Sequence, residues 1–307
     1  MRDLQTPVTT ALAERYAVQR EVGRGAAGAV FLAQDKKLKR EVAIKVLLPE
    51  IASETNAERF LREIQIAAGL THPQIVPLYE SGQEGGFLFY VMPYIAGPTL
   101  RDRLQAVRQL SFTETTAIVS TVAKALTFAH ERGIVHRDIK PDNVLMAGGD
   151  PIVTDFGVAR AFSMAGSKQL TQTGMTVGTP AYMSPEQGRG RRDIDGRSDI
   201  YSLACMTYEM LGGHPPFFSQ SPQEILTRHA MDPIPSLRAC RPDVPSHIER
   251  AILKALAKKP ADRYATAVEF AVGLTAETGP PDRGATMWGA IRSLVDRPRK
   301  ANRPPTQ

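Results

Sequence analysis

The apolar residues of this 307-residue chain change period once, and that switch decides most of what it can fold into. Up to about residue 95 they fall in short strand-like runs: Tyr16 to Val22, Ala29 to Ala33, Val42 to Val46, Ile75 to Tyr79 and Phe87 to Val91. Beyond Ala96 spacings of three and four take over, as in Ile118, Val122, Ala125, Leu126 and Ala129. Period-two runs make half-buried strands, and runs of period 3.6 make helices with one buried stripe. Strands first and helices after predict an α+β fold with sheet and helices segregated. One helix interrupts the strands, from about Thr55 to Ala68, with Phe60, Ile64 and Ala67 on its buried face. The five runs around it predict a five-stranded antiparallel sheet.

Composition narrows the class. A hydrophobic content of 42% is ordinary for a globular chain. No apolar run reaches the roughly 18 residues of a membrane helix, and the N-terminus lacks a basic-then-apolar signal, so a soluble, cytoplasmic chain is expected. Cys205 lies in the apolar run Tyr201 to Leu211, Cys240 stands far from it, and neither belongs to a C-x-x-C pair, so both read as reduced thiols. The net charge is +6, and half of it sits in the last stretch, Ala276 to Gln307, where six Lys or Arg face three Asp or Glu. The remainder is too evenly charged for nucleic acid to be the main partner.

Between the first two strand runs lies Gly23-Arg24-Gly25-Ala26-Ala27-Gly28. Glycines there let backbone N–H groups approach a phosphate closely. The same letters open dinucleotide-binding folds, but those continue into a helix, whereas here strands follow. The third strand carries Lys45 among Val42, Ala43, Ile44 and Val46, and a buried ammonium requires a partner. Glu63 and Glu58, on the helix near residues 55 to 68, are the candidates.

Most of the chemistry converges on His136-Arg137-Asp138-Ile139-Lys140-Pro141-Asp142-Asn143. It follows a helix with a capping box at Ser111 and Glu114 and a stop at Gly133. Asp138 can take a proton from an attacking hydroxyl, Asn143 can hold a magnesium ion through its amide oxygen, and Lys140 can neutralise a moving phosphate. Twelve residues past Asn143, Asp155-Phe156-Gly157 follows a short strand run, where a second metal-binding carboxylate is needed. With these motifs in this order, the chain resembles the protein kinases of the Hanks type over roughly residues 12 to 275, and in detail the bacterial serine/threonine kinases.

The resemblance implies a bilobal architecture. A kinase domain of residues 13–275 would comprise an N-lobe (13–92), a hinge (93–96) and a mostly helical C-lobe (97–275), with a flexible lead-in (1–12) and a disordered basic Pro/Arg-rich tail (276–307) outside it. It implies ATP with Mg2+, or Mn2+ in its place, in the cleft. Gly23, Gly25 and Gly28 would cover the phosphates, and Lys45, paired with Glu63 rather than Glu58, would hold them. Val30, Ala43 and Leu145 would sandwich adenine, with Met92 as gatekeeper and the Pro93 carbonyl and Ile95 N–H meeting its edge. Pro93 has no N–H of its own, which this arrangement tolerates. Asp138 and Lys140 would serve the transfer, and Asn143 and Asp155, with Phe156 beside it, the metal.

Gly178 to Glu186 resembles the family's substrate-docking segment, with Thr179 as docking residue, Glu186 paired to Arg263, and Ser184 where alanine is more usual. Asp199 opens an apolar helix and would cap it or brace backbone. Arg137 would face a hydroxyl-rich activation loop in which Thr171 and Thr173 are expected to be phosphorylated in trans within a homodimer, Thr176 less so. The resemblance also implies Ser and Thr acceptors on protein substrates, since in the family a lysine at the place of Lys140 accompanies that specificity. A pseudokinase scaffold is the rival reading, disfavoured because Lys45, Asp138, Asn143 and Asp155 are all present. The docking segment disfavours a small-molecule phosphotransferase.

Overall fold

In the third strand, Val42, Ile44 and Val46 point one way, and Ala43, Lys45 and Leu47 the other. The computed structural model, which describes residues 4–25, 28–47, 54–156, 179–191 and 193–276 without the side chains of 54–56 and 59, shows both faces covered. Strands β1 (Tyr16–Gly25), β2 (Gly28–Asp35), β3 (Arg40–Leu47), β4 (Glu80–Glu84) and β5 (Phe87–Pro93) form an antiparallel sheet of order β1-β2-β3-β5-β4. Helix α1 (Gln5–Ala11) covers one face, packing Leu4, Val8 and Leu12 against Phe31, Val42, Ile44 and Val91. Helix α2 (Glu54–Ala68) covers the other, where Phe60 and Ile64 meet Ala43, Leu47, Leu88 and Tyr90.

Three expectations change here. The lead-in of residues 1–12, read as loose because it is polar, contains α1, since its few apolar residues fall at spacings of four and line one stripe. The run Ile75 to Tyr79 is not the fourth strand. Ile75 and Val76 are buried between elements while Tyr79 is exposed, Pro77 lacks an N–H, and only Ile75 forms a bridge, to Val153. The polar Glu80-Ser-Gly-Gln-Glu84 pairs with β5 instead, as a short edge strand. The glycines also lie within strands rather than at a turn: Gly23 pairs with Val30 and Gly25 with Gly28.

The helical part is built on α4 (Phe112–His130) and α6 (Arg197–Gly212), with α3 (Leu100–Val107), α5 (Pro185–Gly188), α7 (Pro222–Met231), α8 (Ser246–Ala255) and α9 (Ala267–Thr275) around them. Every residue of α6 from Ser198 to Gly212 is buried, so its polar members must find partners inside. Ser111 caps α4 by accepting from the Glu114 N–H, but only half of the expected box forms, because the Glu114 carboxylate accepts from Arg103 Nε instead, at 3.3 Å. A two-stranded ribbon, β6 (Val144–Ala147) with β7 (Asp150–Val153), joins the parts: Val76 N–H donates to Val153 O at 2.9 Å, and Met146 N–H to Pro98 O at 2.9 Å. Residues Met1–Thr275 form one compact unit. Among the described residues no helix is long and apolar enough to cross a membrane. The expected tail and the loop with Thr171, Thr173 and Thr176 lie outside the described residues.

Candidate active site

The loop before β6 owes its shape to one buried carboxylate. Asp199, with no exposed surface, accepts from the backbone N–H of His136 and of Arg137, both at 2.8 Å, and is 2.7 Å from His130 Nε2. Burial works against its charge, but the His130 bond leads the interactions that outweigh it and hold the carboxyl below its ordinary range. Asp199 thus braces backbone, one of the two roles expected of it. Arg137 is held in the left-handed region, φ +70°, a conformation that costs a non-glycine residue about 1–3 kcal/mol. Sequence reasoning missed Gly196, where an added Cβ would lie 2.5 Å from His130 Nδ1, so only glycine lets that imidazole reach Asp199.

His136 carries the order onward. Its Nε2 lies 2.9 Å from the Thr154 carbonyl, which only accepts, and its Nδ1 receives the Asp138 N–H at 3.2 Å. Those partners fix the Nε2–H tautomer. The same ring meets Phe156 edge-on at 4.6 Å, and Phe156 is buried. Between Thr154 and Phe156 the chain turns through Asp155, again left-handed at φ +67°.

Two groups converge on Asp138. Lys140 Nζ lies 2.7 Å from its Oδ2, and Asn143 Nδ2 donates to the same oxygen at 3.1 Å and to the Asp138 carbonyl at 2.8 Å. With its amide nitrogen turned inward, Asn143 keeps its amide oxygen for another partner. The Asp138 and Lys140 side chains are 22% and 17% exposed, so a substrate can reach them. Asn143 O accepts the Thr154 N–H at 3.0 Å, which ties this group to Asp155.

Across the cleft, Lys45 Nζ lies 2.5 Å from Asp155 Oδ2, and the Tyr90 hydroxyl donates to Oδ1 at 2.6 Å. Burial alone would raise the Asp155 carboxyl, but the charge and hydrogen bond of Lys45 outweigh it and hold it low. The expected Lys45–Glu63 pair is not among the ion pairs of the described residues; Glu63 stands half-buried on α2, and Glu58 is exposed. The Tyr90 contact had no signal in the sequence.

The expected adenine walls come together. Val30, Ala43, Met92, Ile95 and Leu145 belong to a single apolar cluster spanning sheet and ribbon, and Pro93 ends β5. Gly28 has a steric reason: a Cβ there would fall on the Val46 carbonyl oxygen, whereas Gly23 and Gly25 have open space.

Below the loop, Arg263 places its two terminal guanidinium nitrogens on Glu186, at 2.7 and 2.8 Å. Thr179 is half-buried just before the short turn Pro180–Tyr182. Ser184 uses the hydroxyl an alanine would lack. It lies 2.5 Å from Ser198 Oγ and caps α5 in a reciprocal box with Gln187, whose side-chain N–H in turn reaches the Arg137 carbonyl at 2.7 Å. A further cluster escaped the sequence: Arg101 on α3 pairs with Glu209 at 2.6 Å and with Tyr182, and approaches Asp142 at 3.4 Å.

Comparison with known proteins fits this geometry. Residues 16–271 match the family model described as protein kinase domain. The chain is 41% identical over 293 residues to the serine/threonine-protein kinase PknB of Mycolicibacterium smegmatis, covering 92% of this chain and 46% of that protein. It is 38% identical over 281 residues to a probable serine/threonine-protein kinase of Streptomyces coelicolor, covering 90% and 42%. The chain thus spans about half the length of the curated relatives it matches. The crystal structure of the Mycobacterium tuberculosis PknI kinase domain superposes with a TM-score of 0.67 at 34% identity, covering 85% of this chain and 94% of that one. The chain belongs to the protein kinase domain family, within its bacterial serine/threonine kinases.

Proposed function

We propose that this chain transfers the γ-phosphoryl group of ATP to serine and threonine hydroxyls on proteins, its own activation segment included. The observation that carries the reading is the convergence of Lys140 and Asn143 on Asp138, tied through Thr154 to the Asp155–Lys45 pair. Asp138 would orient the acceptor hydroxyl and take its proton, while Lys140, 2.7 Å from that carboxylate, offsets negative charge gathering beside it. Lys45 would hold the α- and β-phosphates, paired with Glu63 once the nucleotide draws it from Asp155.

The donor set suits Mg2+, which is content with one or two oxygen side chains plus phosphates. Asp155 and Asn143 would supply those oxygens, since a carboxylate with two hydrogen bonds retains lone pairs and the Asn143 amide oxygen points away from Asp138. When bound, the metal supplies charge neutralisation between the phosphates. Mg2+ is preferred over Mn2+ here on cellular abundance alone. The cytoplasm, which supplies ATP, is the proposed location. A homodimer is proposed for modification of Thr171 and Thr173 in trans, and nucleic acid is not proposed as a partner.

The test is incubation of the purified chain with Mg2+, labelled ATP and a Ser/Thr peptide, beside Asp138→Asn and Lys45→Met. Turnover should fall by about 100-fold or more in each, the order expected for loss of a positioned acid–base or phosphate-holding group, with the melting temperature nearly unchanged. Undiminished turnover in both variants would end the reading.

A further inference from the structure

At the end of α6 opposite Asp199, three side chains meet that phosphoryl transfer does not use. Cys240 is exposed, just past the turn Leu237–Ala239, and its Sγ lies 3.4 Å from His214 Nε2. His214 Nδ1 lies 2.9 Å from the Pro215 carbonyl oxygen. A carbonyl only accepts, so Nδ1 carries the proton and Nε2 turns its lone pair to the sulfur. The third member is Tyr208, which has no exposed surface and whose ring is 6.1 Å from that of His214. Its hydroxyl makes no hydrogen bond among the described residues, although buried hydroxyls nearly always find one. Burial first, and then the neighbouring Cys240 sulfur, push that phenol above its ordinary range. Phe218, 61% exposed, meets His214 edge-on at 5.4 Å and adds an apolar wall.

We propose that Cys240 is a thiol–disulfide exchange site that takes up low-molecular-weight disulfides, with His214 as its base and the Tyr208 hydroxyl as a donor to its sulfur. In the exchange, Cys240 Sγ attacks one sulfur of the disulfide while His214 Nε2 receives the thiol proton. A sulfur–sulfur bond forms to the protein, the bond within the small disulfide breaks, and the departing thiolate takes the proton from His214. The chain ends with a mixed disulfide and the medium with one small thiol, so no further oxidant is required. The Tyr208 O–H satisfies its missing bond on the sulfur as negative charge gathers there. Cys205 is an internal control, because it is fully buried and its thiol is pushed far up by that burial.

The experiment uses the full chain and oxidised glutathione at neutral pH, followed by intact mass and peptide mapping. One glutathione should add, on Cys240, with Cys205 untouched until the chain is unfolded. His214→Gln should slow the addition about tenfold or more, a modest share of what a positioned general base contributes, and Tyr208→Phe should slow it less. In urea, parent and variants should react alike, which a merely structural role for His214 would not predict for the native rates. If native Cys240 reacts no faster than the same residue in the unfolded parent, or if folded His214→Gln keeps the parent rate, the proposal is overturned. Should His214→Gln fail to fold, the native-against-unfolded comparison of the parent decides. Neither result bears on phosphoryl transfer.

Discussion

Removing Arg263 tests how the segment below the active site is held. All five guanidinium N–H groups are used: two bonds to Glu186 at 2.7 and 2.8 Å, and one each to the carbonyls of Arg197 at 2.9 Å, Ala257 at 2.8 Å and Lys258 at 3.2 Å. The pair is out of water, with side-chain exposures of 0% and 8%. Arg263→Met keeps much of the volume but leaves the Glu186 carboxylate buried and unpaired, which costs about 3–5 kcal/mol. At about 2–4 °C per kcal/mol for a domain of this size, the melting temperature should fall by roughly 6–20 °C. The assay is urea or thermal unfolding of the parent, Arg263→Met, Glu186→Met and the double variant. Because two apolar groups leave no stranded charge, the double variant should be more stable than the Arg263 single. Burial opposes the Glu186 charge, but Arg263 outweighs it, so the folded carboxyl lies below its ordinary 4.5. A depressed carboxyl stabilises above the unfolded value and loses that contribution as pH falls through the folded one. The gap between parent and Arg263→Met should therefore be full at neutral pH and close in acid. A loss under about 1 kcal/mol, or strictly additive costs in the double variant, would refute the argument.

Three further outcomes can be checked. Gly28→Ala should cost about 1–3 kcal/mol in unfolding experiments and raise the KM for ATP, because its Cβ would push β2 from the Val46 carbonyl, next to Lys45; Gly23→Ala, in open space, should leave the melting curve unmoved. Asp199→Asn turns one acceptor oxygen into a donor facing N–H groups and should lower kcat about 10–100-fold with a melting temperature down by several degrees, as steady-state kinetics and calorimetry would show. Gly196→Ala should displace the His130 ring and reproduce a milder form of the same loss.

What the sequence made legible was local. The two periods yielded sheet and helices because burial of one face imposes them, and the grouping of Asp138, Lys140 and Asn143 was readable because all three stand within six positions of one loop. Long-range partners were not. That Tyr90 meets Asp155, that Arg101 reaches Glu209, or that Gly196 makes room for His130 depends on contacts across 65, 108 and 66 positions, for which a single sequence carries no signal. The misplaced fourth strand has a similar cause. Apolar Ile75 and Val76 are buried between elements without laddering, while the polar residues after them pair at the sheet's edge, where alternation is weak.

Helix α1 bears on where the folding unit should be cut. The family match starts at Tyr16, yet the outer face of the sheet is closed by Leu4, Val8 and Leu12, each at most 5% exposed. Ala11 sits so close to the β4–β5 turn that a side chain at Gly85 would strike it. A chain trimmed to the matched range would lose those three anchors, about 1.5–3 kcal/mol apiece, and bare Phe31, Ile44 and Val91 as an apolar patch of the kind that makes proteins stick to one another. Poor solubility of such a trimmed chain would then reflect a missing lid on the sheet and would carry no information about the competence of the active site.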